Sequence, residues 1–193
     1  NFIYNISSAS NNKTFSSQPE FSSIDSFDIN HLGKFILYCG ATDPRKNLYR
    51  LIEAYSLLNV NLISKHKLVL IGPYSEEEVI LIKEWIISFD LSLEYIIFLG
   101  YISDMKLSSL YRNCYLFIFP SLHEGFGLPV LEAMNCGAPV IASNVTSLPE
   151  LVGNQEFLFD PYNSKEIASL INKALTNQEF HQLIRSNAIN RRK

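Results

Sequence analysis

Glu124 and Glu132 stand eight positions apart in the run Ser121-Leu122-His123-Glu124-Gly125-Phe126-Gly127-Leu128-Pro129-Val130-Leu131-Glu132. An ionised carboxylate only accepts hydrogen bonds, and its two oxygens can take both hydroxyls of a vicinal diol. The segment follows an apolar run suited to a strand, and Pro129 opens a helical pattern. Proline suits the first helical position, where its missing N–H would be unpaired anyway. Glu124 is thus expected in a loop and Glu132 about one turn into a helix. A helix start presents free N–H groups and the positive end of the macrodipole, a seat for phosphate. Gly125 and Gly127 are expected to let the backbone approach a ligand closely and to adopt angles barred to other residues.

Arg45 and Lys46, in Asp43-Pro44-Arg45-Lys46-Asn47, follow another apolar run. Two cations there could neutralise a diphosphate, both as it binds and as it leaves with extra negative charge. An isolated Arg-Lys pair or a lone helical glutamate is ordinarily just a solvated surface group. Glu132, however, sits among Val130, Leu131, Ala133 and Met134, where a carboxylate needs partners to offset its desolvation. These residue types point to a ligand carrying both hydroxyls and phosphates.

The elements that must position them alternate along the chain. Apolar runs at 35–39, 67–71, 95–99, 115–119 and 139–142 read as buried parallel strands. Helical segments are expected near 48–58, 76–89, 106–112, 129–135, 165–175 and 178–187. Such alternation implies an α/β fold, a Rossmann-like parallel sheet with helices on both faces, whose ligands bind at the carboxyl ends of the strands. Every motif falls just after a strand, so all converge on one edge. Residues 7–30 are rich in serine and asparagine, with Phe15, Phe21 and Phe27 as the means of tacking them to a surface. The segment 1–33 therefore reads as a linker and 34–193 as the ligand-binding domain, with no internal repeat. The asparagine at position 1 and the helical pattern still running near Arg191-Arg192-Lys193 suggest a piece of something longer.

Composition narrows the function. With 193 residues, 47% hydrophobic and 18% charged, the chain can bury one sizeable core. A net charge of −3 gives no general pull toward nucleic acid or anionic membrane, so phosphate binding must be local. Cys39, Cys114 and Cys136 lack metal-ligand spacing and read as buried free thiols. His31, His66 and His181 are scattered and suggest no metal site; His123, beside Glu124, has no identifiable partner and reads as structural. No run approaches the roughly 18 apolar residues of a membrane span, and no signal peptide is visible. Without one, the sequons at Asn5, Asn12 and Asn144 are taken as chance matches.

The segment from Glu124 to Glu132 resembles the E-x(7)-E motif of the family-4 glycosyltransferases, retaining enzymes of the GT-B fold. The likeness runs from about Phe35 to Asn187. It includes Asp43-Pro44-Arg45-Lys46-Asn47, Leu99-Gly100-Tyr101-Ile102-Ser103-Asp104, Glu124-Gly125-Phe126-Gly127-Leu128-Pro129, Gly137-Ala138-Pro139-Val140-Ile141-Ala142-Ser143 and Leu148-Pro149-Glu150. The resemblance implies the C-terminal, donor-binding half of such an enzyme, with the N-terminal acceptor domain lying outside this chain. It implies that Lys46 and Arg45 contact the donor diphosphate, that Glu132 holds the ribose, and that Glu124 faces the transferred sugar as a binder and electrostatic stabiliser. Backbone groups around Gly125, Phe126, Gly127 and Leu128 would bind sugar hydroxyls and phosphate, and Ile102 would lie against the base.

The implied donor is a nucleotide sugar, GDP-mannose in preference to UDP-sugars. The acceptor is a glycan or a lipid-linked acceptor in surface-polysaccharide synthesis. No cofactor and no metal are expected. The implied location is cytoplasmic, with the cytosolic membrane face as the alternative for a full-length protein. One position departs from the family: Ala41 follows Gly40 where arginine is common, and a nucleotide-sugar-binding module without catalysis is the second reading. A dinucleotide-binding oxidoreductase domain would need G-x-G-x-x-G after the first strand, where Gly40-Ala41-Thr42-Asp43-Pro44-Arg45 stands instead.

Overall fold

The computed structural model describes residues 29–191, so most of the 1–33 linker, with Phe15, Phe21 and Phe27, lies outside the described residues. Six strands form one wholly parallel sheet: β1 (Phe35–Cys39), β2 (Lys67–Ile71), β3 (Ile96–Gly100), β4 (Leu116–Phe119), β5 (Val140–Ser143) and β6 (Leu158–Phe159). Their order is β3-β2-β1-β4-β5-β6. Phe35, Ile36, Leu37 and Tyr38 are wholly buried in β1, as are Leu116, Phe117 and Ile118 in β4. Apolar runs without alternation suit strands covered on both faces.

The helices are α1 (Leu48–Ser56), α2 (Val60–Lys65), α3 (Glu76–Ser88), α4 (Asp104–Asn113), α5 (Leu128–Cys136), α6 (Leu148–Val152), α7 (Ser164–Thr176) and α8 (Gln178–Asn190). Several announce themselves by their caps. Ser75 and Glu78 form a reciprocal capping box on α3, and the side chains of Asn163 and Asn177 accept the N–H groups of Glu166 and Phe180.

The strand order decides where a ligand can sit. From β1 the chain winds outward through β2 to β3, and from β4 it winds the other way to β5 and β6. Right-handed crossovers in opposite directions place the intervening helices on opposite faces. The loops after β1 and β4 therefore stand side by side at the switch point of the carboxyl edge, the crevice where such folds bind ligands.

The structure corrects several bounds and adds three elements. The third strand begins at Ile96 because residues 93–95 form a 3₁₀ turn, and β4 and β5 begin at Leu116 and Val140, one residue later than expected. β6, with two residues, and α2, with six, are too short for periodicity to reveal. Leu148-Pro149-Glu150 starts a helix, α6. Pro129 is the second helical residue of α5, because Gly127 in the left-handed region (φ 72°) is the N-cap and Leu128 comes first. Gly127 has φ positive as expected, but Gly125 does not, so only Gly127 uses the left-handed region. A Cβ at Gly125 would meet nothing within 4 Å, which leaves that stretch of backbone open to approach.

Candidate functional site

The residues singled out for chemistry lie in the loops after β1, β3 and β4 and on α5. The loop after β1 is held from several sides. Tyr38 Oη donates to the Ala41 carbonyl at 3.2 Å, Tyr74 Oη donates to the Gly40 carbonyl at 2.7 Å, and Thr42 Oγ1 donates to Glu78. Glu78 thus serves both the α3 cap and this loop. Asn47 is buried in the left-handed region (φ 58°), and its Nδ2 donates to the carbonyls of Pro120 at 3.0 Å and Pro161 at 2.8 Å.

The two cations of this loop behave differently. Arg45 is exposed and turns back on Asp43, with Nη2 2.6 Å from Oδ2. Hydrogen bonds from the Arg45 side chain and backbone hold the Asp43 carboxyl down at about 2. Lys46 reaches across the crevice instead. Its Nζ lies 2.6 Å from Glu124 Oε1 and 5.3 Å from the centroid of the Phe119 ring. The Glu124 side chain keeps only 12% of its surface exposed, so this pair is shielded from the screening that weakens surface ion pairs.

Glu124 is gripped through all its polar parts but one. Ser121 Oγ stands 2.6 Å from Oε1; the Glu124 N–H donates to Thr146 Oγ1 at 3.2 Å, and Ser147 Oγ donates to the Glu124 carbonyl at 3.3 Å. Oε2 takes no hydrogen bond from the described residues. Thr146, β-branched yet at φ 55°, is a strained residue in the loop after β5. Leu122 N–H donates to the Arg45 carbonyl at 2.7 Å, tying the β4 loop to the β1 loop.

Glu132 sits on α5, half-buried, with the buried Tyr111 of α4 nearby. Burial, and secondarily the charge of Asp104, push its carboxyl up to about 7, against the lowering effect of the Tyr111 hydroxyl. Ile102, half-buried, follows β3 beside Tyr101, which is 82% exposed. The edge loops on that side are chained together: Gly40 N–H donates to Ile71 O at 2.8 Å and Gly72 N–H to Gly100 O at 3.1 Å. A Cβ on Gly72 would stand 2.1 Å from the Gly40 carbonyl oxygen, so glycine is required there.

Lys46 and Glu124 are thus brought into contact, with Gly125 to Leu128 alongside. Arg45 adjoins them through its carbonyl rather than its guanidinium. The N–H groups of Gly125, Phe126 and Gly127 donate to no backbone carbonyl among the described residues. His123 is exposed, whereas His66 Nδ1 lies 3.1 Å from the Leu62 carbonyl and His181 Nε2 2.8 Å from that of Tyr115. No group of three or more His, Cys, Asp or Glu side chains that could hold a metal ion occurs among the described residues. Cys114 and Cys136 are buried free thiols, but Cys39, ending β1 at the edge, is only half-buried; burial still pushes its thiol up to about 11. Ser121, Thr146, Ser147, Tyr111 and Asn47 were not read as site residues. Of these, only Ser121 lay within the Glu124 motif.

A parallel sheet with a cation after β1 and a carboxylate pair after β4 defines the Rossmann-like half of a GT-B glycosyltransferase. The model of the family Glycosyl transferases group 1 matches residues 21–191, and the chain belongs to that family. It is 43% identical over 156 residues to the serotype-specific mannosyltransferase WbdA of Escherichia coli, an overlap of 81% of this chain and 19% of WbdA. It is 39% identical over 150 residues to the O-antigen chain mannosyltransferase B of Escherichia coli, covering 77% of this chain and 39% of that protein. Among solved structures it matches Anabaena HepE in complex with UDP and glucose, with a TM-score of 0.70 and 28% identity, over 81% of this chain and 42% of HepE. The chain thus spans about a fifth to two fifths of the length of these relatives. No helix among the described residues is long and apolar enough to cross a membrane.

Proposed function

We propose that this chain is the donor-binding half of a retaining mannosyltransferase, taking GDP-mannose in preference to a UDP-sugar. Its acceptor is a glycan or lipid-linked acceptor of surface-polysaccharide synthesis. The observation that carries the reading is the Lys46–Glu124 contact of 2.6 Å across the crevice, beside the glycine-capped start of α5. A diphosphate entering there competes with Glu124 for the Lys46 ammonium and meets the positive end of the helix. Glu132 accepts hydrogen bonds from the ribose hydroxyls, and Ile102 lies against the base.

In transfer, the bond between the anomeric carbon and the phosphate oxygen breaks, and its electron pair leaves with the diphosphate. The acceptor hydroxyl oxygen bonds that carbon on the same face, and its proton passes to the departing phosphate. Lys46, Arg45 and the start of α5 stabilise the charge that develops, without a metal. Glu124 could form a covalent intermediate in a double displacement. With Oε1 already receiving Lys46 and Ser121, it is better suited to bind the sugar and stabilise charge than to attack.

The test is a thermal-shift screen of the chain against GDP, UDP, ADP and their sugar conjugates. At about 100 times the dissociation constant, binding stabilises by roughly 2.7 kcal/mol, a rise in Tm of roughly 5–10 °C for a domain of this size. GDP and GDP-mannose are expected to give the largest shifts. A folded sample unmoved by millimolar concentrations of all of them would overturn the reading.

A further inference from the structure

Ser121 has no exposed surface, and its hydroxyl stands where the loops after β1 and β4 meet. Its Oγ lies 2.6 Å from Glu124 Oε1 and 2.9 Å from the Arg45 carbonyl oxygen. A serine hydroxyl has one proton and donates to one of these at a time. The Arg45 carbonyl already receives the Leu122 N–H at 2.7 Å, and an ionised carboxylate is the stronger acceptor. The proton therefore belongs to Glu124. Lys46 Nζ is the second donor to the same oxygen, at 2.6 Å.

These two donors are not equivalent once a donor substrate arrives. A diphosphate draws the Lys46 ammonium toward itself, whereas Ser121, buried and fixed on the backbone after β4, cannot follow. We infer that Ser121 is a positioning residue for the transferred sugar, holding Glu124 by Oε1 so that Oε2 faces a sugar hydroxyl while Lys46 serves the diphosphate. This rests on the sugar-facing role of Glu124 set out above. It also predicts separability: loss of the Ser121 hydroxyl leaves the Arg45 carbonyl bonded to Leu122, so the loop junction keeps its backbone bond.

The experiment is calorimetric titration of the 193-residue chain with GDP-mannose and with GDP, in wild type, Ser121→Ala, Ser121→Cys, Glu124→Ala and the Ser121→Ala/Glu124→Ala double variant. Ser121→Ala is expected to weaken GDP-mannose about three- to tenfold while GDP stays within about twofold. Ser121→Cys, which keeps the volume but donates poorly, should behave alike and serves as the readout if the alanine variant does not fold. In the Glu124→Ala background the serine change should add nothing. Equal weakening of both ligands, or a fall in Tm with unchanged affinities, would make Ser121 merely structural and overturn the inference. If Glu124→Ala leaves GDP-mannose binding unchanged, or wild type binds neither ligand, the reading beneath it fails instead.

Discussion

Glu132 shows how the binding role proposed for a residue can come with a cost. Its carboxyl sits near 7 because burial penalises the charged form and Asp104 adds like charge. That value is above the ordinary 4.5, so the folded protein binds the proton first as pH falls from 7 toward 4.5. Over that window the residue's unfavourable effect on folding is relieved; above 7 it is felt in full. Binding a ribose diol needs the opposite state, the ionised one. Nucleoside diphosphate affinity is therefore expected to fall as pH drops through 7, approaching about tenfold per pH unit below it. Glu132→Ala should weaken binding at pH 8 by about ten- to a hundredfold and abolish this share of the pH dependence. Titrating both proteins with GDP between pH 5.5 and 8 separates Glu132 from the nucleotide's own phosphate ionisation. Normal binding by Glu132→Ala would make it a structural carboxylate.

Among the elements, the loop after β1 is the one on which the site depends. It carries Lys46 toward Glu124, and its conformation hangs on Asn47, which is buried, left-handed, and bonded to two proline carbonyls from other loops. Asn47→Ala loses both bonds and forces a Cβ-bearing residue without a local polar side chain into the left-handed region. The expected destabilisation is about 3 kcal/mol, read by urea unfolding. Asn47→Gly loses the same bonds but tolerates the angle, so it should be less damaging by about 1 kcal/mol. Equal losses would mean that the hydrogen bonds alone hold the turn. That this asparagine matters was not legible from Asp43-Pro44-Arg45-Lys46-Asn47, because both of its partners, Pro120 and Pro161, lie more than seventy residues away in the chain.

For the whole molecule the decisive quantity is how much of a transferase this chain contains. It spans about a fifth to two fifths of its relatives' length, and the site proposed above holds donor-binding groups only. Holding two reactants in register is worth effective molarities on the order of 10⁵ M or more, and an open half-site forgoes that gain. The chain by itself is therefore expected to bind donor and transfer no sugar, whereas a full-length parent turns over. On the proposed reading EDTA should leave the parent's rate unchanged, because Lys46, Arg45 and the α5 start would carry the diphosphate charge. Release of GDP and formation of glycoside, each measured with and without EDTA, decide both points. Efficient transfer by the chain alone would overturn the two-domain reading, and loss of the parent's activity in EDTA would overturn the metal-free one.

The strand runs, the main helices and the placing of Lys46, Glu124 and Glu132 at one edge were legible because burial on both faces writes itself as uninterrupted apolar residues. Glycine and proline punctuation marked the turns between them. Local chemistry of that kind is carried by neighbours in the chain. The pairing of Lys46 with Glu124, the turning of Arg45 onto Asp43, the Tyr111 hydroxyl beside Glu132 and the Ser121–Glu124 bond are of another kind. Lys46 and Glu124 come from different loops and Tyr111 and Glu132 from different helices, and the first pairing depends on a strand order that places β4 beside β1. Even Arg45, two residues from Asp43, is set by a 3₁₀ turn that its sequence alone did not reveal. Residue types could thus be read for what they are able to bind; which of them meet, and which oxygen of Glu124 is left for a ligand, follows only from the packed sheet that brings the loops together.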